Sequence, residues 1–147
     1  MIKKKLIFFC AVFVLSIIIL IVNLKAEIII NDAVFDVKVL VFNSEKIKGL
    51  GGKQELKDNQ GMLFVYLNED KRYFWMKDMN FPIDVLWIRD NKIVNISENV
   101  PILTKGEITR INSLYNVDKV LEIKAGSVSK YNINIDDEII IKLKTPF

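Results

Sequence analysis

Two carboxylates sit where carboxylates are costly. Asp84 follows Pro82 and is surrounded in sequence by Ile83, Val85, Leu86, Trp87 and Ile88; Glu122 lies within Val120-Leu121-Glu122-Ile123. Both are expected to be partly buried, and an unpaired buried charge costs roughly several kcal/mol, so each needs a hydrogen-bonding or charged partner. Arg72 and Lys77 are candidate partners for either. Side by side, the two acids would form a carboxylate pair for general acid–base work, but the sequence does not show them adjacent. For Asp84 the favoured reading is structural: its oxygens accept loop N–H bonds and fix the Asn80–Pro82 turn. The functional reading makes it a site carboxylate. Glu122 falls on the same strand face as Val120, where an ordinary solvent-facing Glu would also fit.

Next to Asp84 run Phe74, Trp75 and Met76. Consecutive strand residues alternate between faces, so the three cannot point one way. If Trp75 faces the core, Phe74 and Met76 face the other side and need cover from the interior, a loop or a ligand. A two-faced buried strand is the plainer reading; a hydrophobic platform under a ligand is the sharper one. Trp75, Met76, Lys77, Asp84 and Glu122 are therefore the candidate ligand-binding residues, and no catalytic residue is assigned.

Much chemistry is excluded by composition. The 147 residues contain no histidine, and the single cysteine is Cys10. That removes His-based triads, His general bases and the usual zinc sites, and no metal or other cofactor is expected. Asp136-Asp137-Glu138 lacks the spacing of a calcium loop and reads as a solvated turn. Gly49-Leu50-Gly51-Gly52 lacks the Gly-Lys-Ser/Thr ending of a phosphate loop, so flexibility or close packing is the safer reading.

The first residues differ from the rest. Lys3, Lys4 and Lys5 precede the uncharged run Leu6–Val22, and Asn23 and Leu24 lead to Lys25. At ~1.5 Å per helical residue the run can cross a hydrocarbon core of roughly 30 Å. Residues 1–25 are read as a transmembrane signal anchor, with Leu6–Leu24 meeting the membrane. Three lysines before the run and one after place the C-terminal domain outside the cytoplasm, periplasmic or at the cell surface. The alternative is secretion after cleavage, but Leu24-Lys25-Ala26 is a poor small-x-small site. Cys10 lacks the flanks of a lipoprotein signal. Four of the 21 basic residues, Lys3, Lys4, Lys5 and Lys25, fall in residues 1–25, which hold no acid; residues 26–147 carry 17 basic against 18 acidic side chains. The domain thus has no basic footprint for nucleic acid.

These residues need elements to hold them. Residues 26–32 are a linker or a first strand, and residues 33–147 form the exported domain. Phe35, Val37, Val39 and Val41 alternate as one face of a strand over Ala33–Phe42. Ser44 is placed to cap a short helical turn that ends near Gly49. Gly61–Leu67, Arg72–Met76 and Asp84–Ile88 read as strands. Asp90-Asn91 tolerates positive φ and predicts a tight hairpin into Lys92–Ser97. Glu98–Tyr115 is irregular or short strands, Lys119–Lys124 a strand, Ser127–Asn132 a short helix and Glu138–Leu143 the last strand. Short connections between about seven strands predict a mainly β (β-rich α+β) fold, a small antiparallel or mixed β-barrel with two short helices.

The blocks "GMLFVY", "FWMKDMNFPIDVLWI", "ENVP" and "VLEIKAG", in that order, resemble the family called domain of unknown function 192. The resemblance covers roughly residues 34–143. It implies a small, β-rich, often exported domain with a Glu at position 122, and no agreed activity, substrate or catalytic set. Two departures stand against the family pattern. Gly51 occupies the place of a Met, and Asn132 and Asp136 replace two glycines. Asn and Asp visit left-handed backbone more readily than most residues, so those turns are expected to survive.

The expected function is binding of a small molecule or envelope component near Trp75, Asp84 and Glu122. A carboxylate-dependent hydrolase or lyase is the alternative, weakened by the missing His and by a domain without Cys. A further alternative is an envelope protein-interaction module that pairs through a free strand edge.

Overall fold

The computed structural model describes residues 7–15, 24–103 and 107–144. Residues 7–15 are helical and exposed. No helix among the described residues is long and apolar enough to cross a membrane. The rest of the proposed span, residues 6 and 16–23, lies outside the described residues.

Nine strands follow among the described residues: β1 (Lys25–Ile30), β2 (Ala33–Leu40), β3 (Gln60–Asp70), β4 (Tyr73–Trp75), β5 (Ile83–Arg89), β6 (Lys92–Val100), β7 (Arg110–Asn112), β8 (Val117–Lys124) and β9 (Ile139–Lys144). The doubtful residues after the apolar run are thus a strand, which pairs with both β2 and β9. Two short helices are α1 (Asn43–Lys48) and α2 (Ser127–Lys130). Seven strands form one sheet in the order β6-β5-β8-β3-β2-β1-β9; β4 and β7 form a separate two-stranded ribbon. All neighbours are antiparallel except β2 and β3. A parallel neighbour needs a crossover, and α1 with the glycine loop supplies it.

The expected barrel does not close. Among the described residues the edges β6 and β9 form no ladder; an isolated antiparallel bridge joins Lys92 to Glu138, the residue before β9. Three backbone bonds clasp that corner: Ile93 N–H to Asp137 O at 3.0 Å, Asp136 N–H to Ile93 O at 2.8 Å and Ile139 N–H to Asn91 O at 2.8 Å. They use turn residues at the strand ends, and no ladder continues along the edges. The sheet is open but curled, because Ile28 and Ile30 of β1 share one core cluster with Ile93 of β6.

Both faces are buried. Phe35, Val37, Leu63, Leu86, Leu121 and Ile123 belong to one cluster. Met62, Phe64, Val85, Trp87 and Val120 point the other way into a second, as alternation requires. The β4–β7 ribbon covers this second face with Phe74, Met76 and Ile111.

Local turn chemistry follows the sequence closely. Asp90 and Asn91 take φ of 50° and 64°, and Asn132 and Asp136 take 50° and 74°. The helix cap is different: the residue capping α1 is Phe42, with no side-chain cap bond, rather than Ser44. The Phe42 carbonyl accepts from Glu45 N and Lys46 N, both at 3.2 Å, and a Lys38–Glu45 ion pair of 2.8 Å ties α1 to β2.

Candidate functional site

A cavity of about 370 Å³ opens between α1, the glycine loop, β3 and the β4 segment, with Glu122 of β8 in its wall. Strand pairing explains why Glu122 is there. Met62 of β3 and Val85 of β5 are its cross-strand partners, so its side chain leaves the sheet between two apolar neighbours that can donate nothing. Gly61 makes this pairing close: an added Cβ would come 2.8 Å from the Glu122 carbonyl oxygen. The side chain is buried at 7 % exposure, and its Oε2 is buried without a hydrogen-bond partner. Burial pushes the carboxyl up to about 8, so at neutral pH it is chiefly a neutral acid, able to donate a hydrogen bond.

The cavity's other walls are aromatic. Phe64 and Phe74 meet edge to face at 4.9 Å, and Phe74 meets the fully buried Trp87 at 5.6 Å. Tyr66 follows Phe64 by two residues and so shares its face. Lys46 Nζ lies 4.0 Å and the Arg72 guanidinium carbon 3.9 Å from the Tyr66 ring centroid. Both cations are within cation–π range of this one ring. Arg72 is steadied by the Asn68 carbonyl and by Asn68 Oδ1 at 3.2 Å. Burial and the neighbouring Arg72 charge lower the Lys46 pKa. Burial raises that of Tyr66, Arg72 opposes the rise and Glu122 adds to it.

The glycine loop is closely packed. A Cβ on Gly51 would lie 2.9 Å from the Lys48 carbonyl oxygen and 3.3 Å from that of Lys77, and Gly52 N–H donates to Asp78 O at 2.8 Å. The loop is thereby joined to the segment after β4, and Gly51 lines the cavity without a side chain.

Three of the five residues singled out by sequence, Trp75, Lys77 and Glu122, line this cavity. Trp75 faces outward, 52 % exposed, while Met76 is buried in the core. The orientation is therefore the reverse of a core-facing Trp75: Phe74 and Met76 pack inward against the sheet. Asp84 is fully buried and does not line the cavity. Its Oδ1 accepts from Asn99 N at 2.8 Å and its Oδ2 from Val128 N at 2.9 Å. The expected N–H bonds exist, but they come from these residues and not from the Asn80–Pro82 turn. One oxygen pins a bulge in β6, where Asn99 has φ of 48°; the other caps the start of α2, whose own cap residue Gly126 has no side chain to offer. Arg72 and Lys77 form no ion pair with either acid. No cluster of metal-ligating side chains occurs among the described residues, and Asp137 serves its turn by accepting from Asn31 Nδ2 and Asn134 N.

Tyr66, Lys46 and Phe64 were not anticipated. The alternation Met62, Phe64, Tyr66 in β3 could have flagged Tyr66 as sharing a face with Glu122. Lys46 carried no signal, since nothing in the sequence folds α1 over β3.

The sequence profile of a family described as an uncharacterized ACR, DUF192, matches residues 26–141. No curated protein matches the sequence. Two solved structures are similar. One is a "putative transcription regulator" from Sinorhizobium meliloti 1021, at 27 % identity and a TM-score of 0.70, over 80 % of this chain and 92 % of that one. The other is a protein of unknown function from Novosphingobium aromaticivorans DSM 12444, at 25 % identity and a TM-score of 0.69, over 79 % and 83 % of the two chains.

Proposed function

The chain belongs to the domain of unknown function 192 family, whose name carries no activity, and we propose that its domain binds a small molecule in the cavity between α1 and β4. One observation carries this reading: the buried carboxyl of Glu122, with an unpartnered oxygen, lines an aromatic-walled cavity. A buried polar group without a partner costs free energy, and a ligand that completes its hydrogen bonding recovers it. Trp75 at the rim is a large exposed aromatic of the kind that anchors ligands and partners. The test is saturable binding of a small-molecule panel to the purified full chain, followed by titration. Binding that is lost in Trp75→Ala supports the reading; binding that survives in that variant places the site elsewhere.

We further propose that residues 1–25 anchor the domain to a membrane with its C-terminal part extracytoplasmic. The support is the uncharged run Leu6–Val22 with Lys3, Lys4 and Lys5 before it. Resistance of the membrane-associated chain to alkaline carbonate, with the domain digested by externally added protease, is the expected result. Release by carbonate would overturn the anchor.

A second reading has its own support. A carboxyl held near 8 titrates close to neutral pH, where a general acid or base works best. Glu122 would then act alone, without Asp84. Turnover that vanishes in Glu122→Gln, with ligand binding retained, would favour the enzyme over the binding domain.

A further inference from the structure

The cavity also constrains what it takes. Its volume is near the lower end for ligand sites, which suits a body of one or two rings. Phe64, Phe74, Tyr66 and Trp75 offer faces and edges to a flat apolar group. At the buried end, Glu122 presents an O–H and an unpartnered oxygen together. A hydroxyl or an amide answers both, because each can donate and accept.

The charge around the cavity argues against a cation. Among the described residues Glu122 is the only acid in the lining, while Lys46, Lys48 and Lys77 all line it. Lys46 is occupied by the Tyr66 ring. Lys48 and Lys77 are exposed and form no ion pair among the described residues, so they mark the mouth as Glu122 marks the depth. An ammonium entering would meet these lysines, and no described lining residue at the mouth is a carboxylate.

Resting on the binding reading above, we infer that the ligand is a small aromatic anion with a hydroxyl or amide at the far end of its ring. The polar end sits on Glu122, the ring lies among Phe64, Phe74 and Trp75, and the anionic group meets Lys48 and Lys77 at the mouth.

A charge series on one body tests this with the full chain: 4-hydroxyphenylacetate, its neutral amide and the cation tyramine, followed by Trp fluorescence and calorimetry. The expected order is anion, amide, amine, with the anion about tenfold tighter than the amide. The double variant Lys48→Gln/Lys77→Gln, at two exposed positions, should bring the anion within about threefold of the amide and leave the amide unchanged. Phenylacetate, without the hydroxyl, should bind the wild type about tenfold more weakly than 4-hydroxyphenylacetate. Tyramine binding best, or three equal affinities, would overturn the anion assignment and leave the binding reading intact. Equal affinity of the two acetates would overturn the contact with Glu122. No binding by any member of the series at millimolar concentration would overturn this inference, while the binding reading itself is decided by the panel and Trp75→Ala.

Discussion

Asp84 and Glu122 lie on neighbouring strands, one residue out of register, and project from opposite faces of the sheet. Asp84 stands across from Ile123, and Glu122 across from Val85. Ile123 belongs to one core cluster and Val85 to the other. The two acids therefore cannot act as a carboxylate pair, and their environments differ in kind. Asp84 has both oxygens satisfied by backbone N–H groups; Glu122 has an oxygen with no partner.

Asp84 is accordingly a stability residue. Asp84→Asn replaces one accepting oxygen with an N–H donor that faces another donor, either at the β6 bulge or at the start of α2. We expect a loss of about 2–4 kcal/mol in denaturant unfolding at neutral pH. Ligand affinity of the remaining folded fraction should be unchanged. A loss of affinity with stability intact would return Asp84 to the site.

Glu122 should have the opposite signature, seen through pH. Its folded pKa of about 8 lies above the ordinary 4.5, so between those values the folded chain holds a proton that the unfolded chain has released. The Glu122 contribution is then fully present below about pH 4.5, is lost as pH rises, and is gone above about 8. The whole span is worth up to about 5 kcal/mol. Among the described residues, the groups lining the cavity with Glu122 that titrate or carry charge are Tyr66 of β3, Tyr73 of β4, Lys46 and Lys48 of α1, and Lys77. The comparison with Glu122→Gln, which leaves all of these groups in place, isolates the part of the slope that belongs to Glu122. Glu122→Gln should flatten this slope and be more stable than the wild type at pH 9. Parallel pH profiles for the two proteins would contradict a buried, unpartnered acid.

How far the sequence could be read depended on how far apart the interacting residues lie. The Asp90-Asn91 hairpin and the left-handed turns at Asn132 and Asp136 are local, set by residues that tolerate positive φ, and they were legible. Strand alternation in Phe35, Val37 and Val39 was equally plain. Closure was not legible. It depends on whether β6 and β9 continue their pairing beyond Lys92 and Glu138, a contact between distant parts of the chain. The partners of Asp84 are 15 and 44 residues away, so the sequence could require N–H donors without identifying them. Trp75 was assigned to a site but could not be oriented, because a three-residue strand in a separate ribbon gives its alternation no fixed reference.

That orientation is itself testable. Trp75 is half exposed, so Trp75→Ala should change unfolding free energy by no more than about 1 kcal/mol. The same change should weaken ligand binding by about tenfold or more, as removal of a rim aromatic does. A large stability loss, measured in the same denaturant assay, would make Trp75 a packing residue.

Gly51 joins the loop to the site. A Cβ there would collide at 2.9 Å with the Lys48 carbonyl oxygen, which already accepts from Gly51 N–H at the end of α1. Gly51→Ala should therefore cost about 1–3 kcal/mol and shift α1 against the cavity. Weaker binding should accompany the loss, read by titration under conditions where the variant remains folded. Unchanged stability and affinity would mean that the loop yields freely.

The most direct measurement is the titration of the Glu122 carboxyl itself, by carbon NMR of the full chain with labelled glutamate and Glu122→Gln to assign the signal. The free protein should show an apparent pKa of about 8. A bound ligand that hydrogen-bonds the neutral acid should raise it further, by about the logarithm of its preference for the protonated form. An ordinary pKa near 4.5, or a value unmoved by every ligand the protein binds, would contradict Glu122 as the polar contact of the cavity.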